Sequence, residues 1–406
     1  MAGPGIDQIR SFRLHSHHLD AAYKKSDIFR AAGACGLQNT PPGAWETALH
    51  SRIPGCSTLD MEQFLCKDRS LLQAWSIRGI PVVFPASESD IFLSSLIPAD
   101  GEPWIYTRGI ALALDLLQMT FEELLDLQMQ VMPKLDDTLI ISKSALDQTI
   151  AGWMLPLLPA AKRGLWNQPS MYGSPDIQTV GGAVVSFLLR PCAFCQLVVF
   201  GERDGISPSF TSYKSWTGHA AASGAGIDPA IHMDAVKKLV RKYLHCYGPA
   251  TVDGFTSWLG CSGKQGRRMW KTVSQEMEPV TVFGKKAFIL SEDRERLFTP
   301  ASFDRELLLL GGHDPFLDQR DRIILQPEKN LHKQIWRLVS NPGAIVYRGE
   351  IIGIWNSRKK GMGMDITVKL WVQSHTKADK HRLGMLAEEY AAFRQTELSG
   401  FQIHTG

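Results

Sequence analysis

Three successive stretches of this chain place short helices ahead of a two-stranded turn, and this recurrence limits the fold more than any other feature of the sequence. The clearest stretch has helices and strands predicted at 235–247, 252–259, 264–275, 280–283 and 287–290. Thr251 is a residue type that caps helices, and Gly260-Cys-Ser-Gly263 supplies a tight turn between the second and third helices. Helix, turn, helix and a following strand pair predict a winged helix.

The other stretches repeat this order without obvious sequence identity. The first has predicted helices and a strand pair at 16–36, 44–51, 58–67 and 71–84, and the second has a helix and strands at 174–189, 197–200 and 207–213. Strands at 307–311, 344–347, 351–355 and 366–372 then precede a helix at 377–396. We therefore predict an α+β fold of three tandem winged-helix domains with a C-terminal β-rich domain. The predicted domains are 1–105, 106–230, 231–300 and 301–406.

The composition is that of an ordinary globular protein. The chain has 406 residues, 44% hydrophobic and 21% charged, and a net charge of +3. These values exclude a disordered chain and a polycationic nucleic-acid coat. Seven cysteines and the lack of an apolar signal core predict reduced thiols and a cytoplasmic location. The most apolar stretch, 181–200, is interrupted by Arg190-Pro191, so we expect a helix and a strand there and no membrane association.

Charge is unevenly distributed along the chain. Residues 237–286 hold ten Lys/Arg and three Asp/Glu, a local charge of 10 − 3 = +7, whereas residues 100–150 hold nine acidic and three basic residues, a local charge of −6. Lys264, Arg267, Arg268 and Lys271 share one face of the predicted helix at 264–275. This face fits the recognition helix of a DNA-binding winged helix, and a solvated basic helix is the alternative interpretation.

A second basic cluster lies between two predicted strands of the C-terminal domain. Arg358, Lys359 and Lys360 lead into Gly361-Met-Gly-Met364, which predicts a flexible hairpin tip able to reach DNA phosphates or a groove. The alternative is a lysine-rich turn that protects the edge of a sheet.

An ordered set of motifs spans most of the chain. The set is Gly36-Leu37-Gln38, Gln73-Ala-Trp-Ser-Ile-Arg-Gly79, Tyr247-Gly-Pro-Ala-Thr-Val-Asp-Gly-Phe255, His313-Asp-Pro-Phe-Leu317 with Arg320-Asp-Arg322, and Gly349-Glu-Ile-Ile-Gly-Ile-Trp355. On these motifs the sequence resembles the AlkZ-like winged-helix proteins, bacterial DNA glycosylases that excise bulky or crosslinking alkylated bases. The resemblance implies three tandem winged helices and a C-terminal β-rich domain that together form a concave DNA-binding channel.

The resemblance also implies a catalytic position. The family signature is Gln-apolar-Gln, or Gln-apolar-Asp in a sister branch, and the matching residues here are Gln38, Asn39 and Thr40. Only Gln38 keeps the family residue. A cationic alkylated purine is already a good leaving group, so amide oxygens that orient a water molecule and face the developing sugar cation are sufficient chemistry. We predict that Gln38, Thr40 and Asn39 serve this role, and the alternative is that Gln38 and Asn39 only cap the preceding helix.

Further candidates come from the other motifs. Trp75 and Arg78 are predicted to pack beside the site or to contact DNA phosphates, and the alternative is a buried tryptophan with a salt-bridged arginine. His313 and Asp314 are predicted to be polar groups of the channel or the cap of a turn. Cys192 and Cys195 have metal-site spacing without a second Cys/His pair, and His15, His17 and His18 indicate an exposed terminal run, so no metal site is predicted.

These patterns predict a monofunctional DNA glycosylase that acts on alkylated purines as a monomer on double-stranded DNA, with no cofactor and no bound nucleotide. The alternative is a non-catalytic winged-helix protein that regulates transcription or shields lesions.

Overall fold

The computed structural model describes residues 3–173, 175–220, 229–371 and 379–406. The helices are α1 Ile6–Ser16, α2 Ile28–Gly33, α3 Ala44–Arg52, α4 Thr58–Glu62, α5 Ser89–Phe92, α6 Ala111–Leu117, α7 Phe121–Val131, α8 Lys143–Met154, α9 Ala160–Trp166, α10 Val180–Phe194, α11 Tyr213–Thr217, α12 Pro229–Tyr247, α13 Val252–Leu259, α14 Gly263–Lys271, α15 Arg294–Phe298, α16 His332–Ile335 and α17 Lys380–Phe393. The strands are β1 Leu37–Gln38, β2 Leu71–Trp75, β3 Pro81–Pro85, β4 Ile140–Ile141, β5 Val199–Phe200, β6 Ser209–Thr211, β7 Met277–Val282, β8 Lys285–Leu290, β9 Leu307–Leu310, β10 Gly343–Tyr347, β11 Glu350–Lys360, β12 Gly363–Leu370 and β13 Glu397–Thr405.

Two compact units make up the chain. Unit 1 comprises Met1–Gln63, Val240–Trp258 and Val273–Gly406, and unit 2 comprises Phe64–Leu239 and Leu259–Thr272. The four predicted domains divide the chain at other positions and remain a prediction.

Unit 1 contains a five-stranded sheet in the order β13-β12-β11-β10-β9, in which β12 and β13 are parallel and the other neighbours are antiparallel. Alternate residues of a strand face opposite sides, so β9 contributes to two cores. Leu308 and Leu310 pack with Leu14 near the end of α1, and Leu307 and Leu309 pack with Leu383 of α17. The antiparallel pair β7–β8 belongs to a further cluster, in which it meets the other apolar face of α1.

Unit 2 is mainly helical. Residues of α7, α8 and α10 form its core together with β2, β5 and β6. Strands β2 and β3 form an antiparallel pair, and β6 pairs antiparallel with both β4 and β5. The predicted helix and strand at 181–200 are confirmed as α10 and β5, and Cys192 and Cys195 are buried free thiols, as predicted. In the described part of the chain no helix is both long and apolar enough to span a bilayer.

Most predicted elements are confirmed in type, and α13 also in its bounds. The predicted strand pair at 280–290 is observed as β7 and β8, and the C-terminal strands as β9 to β12. Residues 174, 372 and 377–378 of the predicted elements lie outside the described residues. Strand β13 was not predicted: it adds to the sheet beside β12, a pairing that local sequence does not specify.

The helix predicted at 16–36 is wrong. Helix α1 ends at Ser16, and His18 has a φ of 57°, a left-handed conformation that stops a helix. The prediction of an exposed histidine run is wrong for the same segment, since His17 is 0% and His18 9% exposed. Burial and the guanidinium groups of Arg52 and Arg30 lower the pKa of His18 from 6.5 to about 4, so its imidazole is neutral at neutral pH.

Candidate active site

Gln38 ends the short strand β1 and is half-buried. Its side-chain nitrogen Nε2 donates to the backbone carbonyl of Thr40 at 2.9 Å and lies 3.1 Å from Nδ1 of His313. A backbone carbonyl can only accept, so the amide nitrogen must face Thr40, and Nδ1 of His313 must then accept while its Nε2 carries the proton. These two contacts define the orientation of the Gln38 carboxamide, with its carbonyl oxygen as the acceptor end.

The two residues after Gln38 differ in their surroundings. Thr40 is exposed, whereas Asn39 is 5% exposed and its side-chain oxygen accepts from the backbone N–H of Gly43 at 2.7 Å. Gly43 has a φ of 87° at the start of α3, so Asn39 stabilises the turn into that helix. This bond lies at the turn into α3 and not at the end of α2, so it differs from the predicted cap of the preceding helix. The catalytic role of Asn39 stays a prediction.

The position of His313 is fixed by the ion pair that the next residue, Asp314, makes with Arg52. Both carboxylate oxygens of Asp314 accept from Arg52, at 2.7 and 2.9 Å, and one also accepts from the backbone N–H of Phe316 at 2.9 Å. The side chains of Arg52 and Asp314 are 1% and 0% exposed. Asp314 is therefore corrected from a channel group to a buried anchor, while the half-buried His313 contacts Gln38.

The predicted DNA contact of Trp75 is also corrected. Trp75 is 3% exposed within the core of unit 2, where it stacks on Phe210 at 5.3 Å and lies 5.3 Å from the guanidinium of Arg190. A ring buried in this way cannot stack on a base. Arg78 is half-buried with a φ of 58° and lies close to Gly260, where an added Cβ would come 2.9 Å from the Arg78 Cγ.

The four basic residues of α14 fall into two pairs. Lys264 donates to the backbone carbonyl of Asp100 at 3.1 Å, and Arg268 makes a bidentate ion pair with Glu102 at 2.9 and 2.7 Å. The Glu102 side chain is 1% exposed, so the charge of Arg268 is largely neutralised at a buried partner. Arg267 and Lys271 are exposed one turn apart. Residues of the acidic segment 100–150 thus neutralise part of the positive charge of α14 within unit 2.

The basic hairpin of the C-terminal sheet is more regular than predicted. Arg358, Lys359 and Lys360 all belong to β11, and the paired register continues to Lys360 opposite Gly363. All three side chains are exposed, and Lys360 is 3.4 Å from Asp365. The prediction of a flexible tip is corrected to an extended, paired hairpin, because the strand ladder reaches the two-residue turn.

Sequence reasoning missed one group of residues beside this site. His17, Cys35 and Cys246 are buried together in unit 1, and one potential ligand atom from each lies within 4.8 Å of the others. Their separation along the chain explains the omission, because metal-site motifs are recognised by short spacings. Arg52 was missed for a similar reason, since its partner Asp314 is far away in sequence.

Comparison with known proteins agrees with this architecture. The profile of the family described as DNA glycosylase AlkZ-like matches residues 31–393. The interstrand DNA cross-link repair glycosylase of Streptomyces sahachiroi is 24% identical over 360 residues, which is 86% of this chain and 86% of that protein. The structure of Streptomyces sahachiroi DNA glycosylase AlkZ has the same mixed α/β fold, with a TM-score of 0.73 and 21% identity over 99% of this chain and 100% of that one. Because the family match spans most of its length, this chain belongs to the AlkZ-like DNA glycosylase family.

Proposed function

We propose that this glycosylase hydrolyses the N-glycosidic bond of cationic, alkylated purines in double-stranded DNA, and that Gln38 positions the attacking water molecule. The observation that carries the proposal is the oriented carboxamide of Gln38, whose nitrogen faces Thr40 and His313. An amide held in this way presents its carbonyl dipole in one direction, without the reorganisation that a mobile side chain would need.

The proposed chemistry needs little from the protein beyond orientation. The alkylated base carries the positive charge that makes it leave, and bond cleavage at C1′ builds positive charge on the sugar. The Gln38 carbonyl oxygen accepts a hydrogen bond from water and places negative dipole density near that sugar. Thr40 adds an exposed hydroxyl to the same segment. The Thr40 hydroxyl cannot act as a general base in the way that a carboxylate would. We therefore restrict the proposal to lesions whose base is already a good leaving group.

The DNA surface belongs to the same proposal. The proposal keeps the three tandem winged helices, the C-terminal domain and the concave duplex channel that the family resemblance implies. We expect the exposed Arg267 and Lys271 of α14 in unit 2, and the exposed Arg358 and Lys359 of β11 in unit 1, to contact phosphates. Arg78, Lys264 and Lys360 remain further candidates for DNA contact. The protein acts as a monomer and uses no cofactor.

The relative from Streptomyces sahachiroi is named for interstrand cross-link repair. We extend the proposed substrates to bulky and cross-linked N-alkylated purines, which share the cationic leaving group of simple 7-alkylguanines.

The direct test is release of 7-methylguanine from alkylated duplex DNA by the purified chain, measured by chromatography of the free base. We expect time-dependent release without strand cleavage, because no lyase nucleophile is part of the proposal. Duplex binding without release would instead support the non-catalytic DNA-binding alternative, which the threonine at position 40 favours.

The exposed pair on α14 gives a prediction for binding. Arg267→Glu combined with Lys271→Glu should weaken binding to unrelated duplexes alike, because phosphate contacts carry no sequence information. The number of counterions released on binding, given by the slope of affinity against salt concentration, should fall by about two. The measurement is fluorescence anisotropy over a series of salt concentrations.

The matched control is Arg163→Glu with Lys162→Glu, a charge reversal of the same size on α9 in the same unit. Unchanged affinity in the α14 variant, or an equal loss in the control, would show that α14 does not contact DNA.

A further inference from the structure

His17, Cys35 and Cys246 come from three separate segments of unit 1. His17 follows the end of α1, Cys35 lies between α2 and β1, and Cys246 is in the last turn of α12. Their exposures are 0%, 5% and 0%. Nδ1 of His17 is 3.8 Å from Sγ of Cys35, and one potential ligand atom from each of the three residues lies within 4.8 Å of the others. Two sulfurs and one imidazole nitrogen therefore converge on one buried point.

The His17 ring has weak compensation for its burial. It is packed edge-on against Tyr247 and Phe316, with ring centroids at 5.0 and 5.5 Å, and its buried Nε2 has no hydrogen-bond partner among the described residues. Its other nitrogen, Nδ1, faces a sulfur, which is a poor hydrogen-bonding partner. A buried imidazole normally has better partners. A metal bond at Nδ1 would replace this weak contact with a strong one, and Nε2 would then carry the proton.

The thiolate is the form of cysteine that binds metals. Each of the two thiols would therefore lose its proton to solvent as the ion binds.

The distances are close to those of a zinc centre. Zinc bonds of about 2.3 Å to sulfur and about 2.0–2.1 Å to nitrogen give tetrahedral edges of roughly 3.5–3.8 Å. The contact between His17 and Cys35 is near this range at 3.8 Å. Side-chain rotation of Cys246 would close the remaining gap, and the Cys246 thiol would give up its contacts with the Ser16 and Ala34 carbonyls, at 3.8 and 3.4 Å. The hydroxyl oxygen of Tyr247 lies 3.7 Å from the Cys35 sulfur, and its proton is donated to the Pro315 carbonyl at 3.0 Å, so a lone pair of this oxygen could take a fourth position.

We propose that His17, Cys35 and Cys246 bind one zinc ion, with the Tyr247 hydroxyl oxygen in the fourth position. Two thiolates neutralise the charge of the ion. The site is structural, because its ligands are buried and leave no exposed coordination position for substrate. Cys35 precedes Gln38 by three residues, so the ion would hold the segment that carries the candidate catalytic amide against α1 and α12.

The first test is the metal content of the full-length protein, purified without chelator from zinc-supplemented medium. We expect about one zinc per chain by mass spectrometry, the stoichiometry of a single structural site. Replacement by Co²⁺ should give thiolate-to-cobalt charge-transfer absorption and the ligand-field bands of a tetrahedral site. Both readouts are independent of base release, so their failure does not bear on the proposed function. Wild-type protein with neither zinc nor these bands would overturn the site.

The second test uses the cysteines one at a time. Cys35→Ser and Cys246→Ser should each lose most of the bound zinc and the cobalt charge-transfer band. Cys56→Ser is the matched control, because Cys56 is also buried in unit 1 and its thiol contacts the Ser57 carbonyl, at 3.9 Å, and not the proposed ligands. Zinc retained by both ligand variants, or lost equally from the control, would place the ion elsewhere and contradict the assignment.

Discussion

Gln38→Ala is expected to lower the rate of 7-methylguanine release by about 100-fold, the usual effect of removing one preorganised polar group from an active site. The variant loses the carbonyl oxygen that orients water, while the positive charge on the lesion still promotes departure of the base. Duplex affinity should stay within about twofold, because one neutral side chain contributes little to phosphate binding. The measurement is single-turnover release combined with fluorescence anisotropy.

The matched control is Gln118→Ala. Gln118 is an exposed glutamine of unit 2 whose side chain donates to a nearby backbone carbonyl, that of Asp115. It should release base at the wild-type rate. Equal rates for Gln38→Ala and the wild type would remove Gln38 from the mechanism. Gln38→Glu should have the opposite effect. Its carboxylate can act as a general base, so we expect this variant also to release bases that are poorer leaving groups.

Asp314→Leu is expected to destabilise unit 1 by about 3–5 kcal/mol, because it leaves the Arg52 guanidinium buried without its counterion. Arg52 would keep its hydrogen bond to the Ala48 carbonyl, at 2.6 Å, which does not balance the charge. The substitution also removes the side chain that holds the turn at Phe316, so we expect His313 to shift and base release to fall as well. Urea denaturation monitored by circular dichroism measures the change in the free energy of unfolding.

The double variant Arg52→Met, Asp314→Leu separates loss of the ion pair from loss of packing. It removes both charges and retains apolar volume, so it should recover most of the stability lost in the single variant. A double variant as unstable as Asp314→Leu alone would show that the charge imbalance is not the cause.

The local elements of this protein were largely predictable because their signals are local. Helix α13 follows Thr251 and stops before Gly260, and its bounds agree with the prediction. Strands β7 and β8 flank a turn at Gly284, whose φ of 75° suits glycine. The apolar stretch at 181–200 was correctly divided into a helix and a strand, which lie in the core of unit 2 as α10 and β5, and the motif order correctly indicated the family.

The environments of individual side chains were not predictable in the same way. Asp314 and Trp75 were candidate DNA-facing residues, but they are buried against partners far away in sequence, Arg52 for Asp314 and Phe210 for Trp75. Arg268 shares a helix face with Arg267 by periodicity, and only the position of Glu102 shows that its charge is compensated. Asn39 takes the middle position of the motif, and only the structure shows that its side chain accepts from the N–H of Gly43.

By itself, the sequence determined most helix and strand types, because caps, turns and periodic apolar residues act over a few neighbouring positions. The ordered motifs, with Gln38 in the first of them, indicated the family. Only the tertiary structure decided which polar groups meet: His313 at Gln38, Arg52 at Asp314, and the imidazole of His17 at two distant thiols. Contacts between residues hundreds of positions apart depend on how the elements pack against each other, and no local sequence pattern predicts which residues will meet.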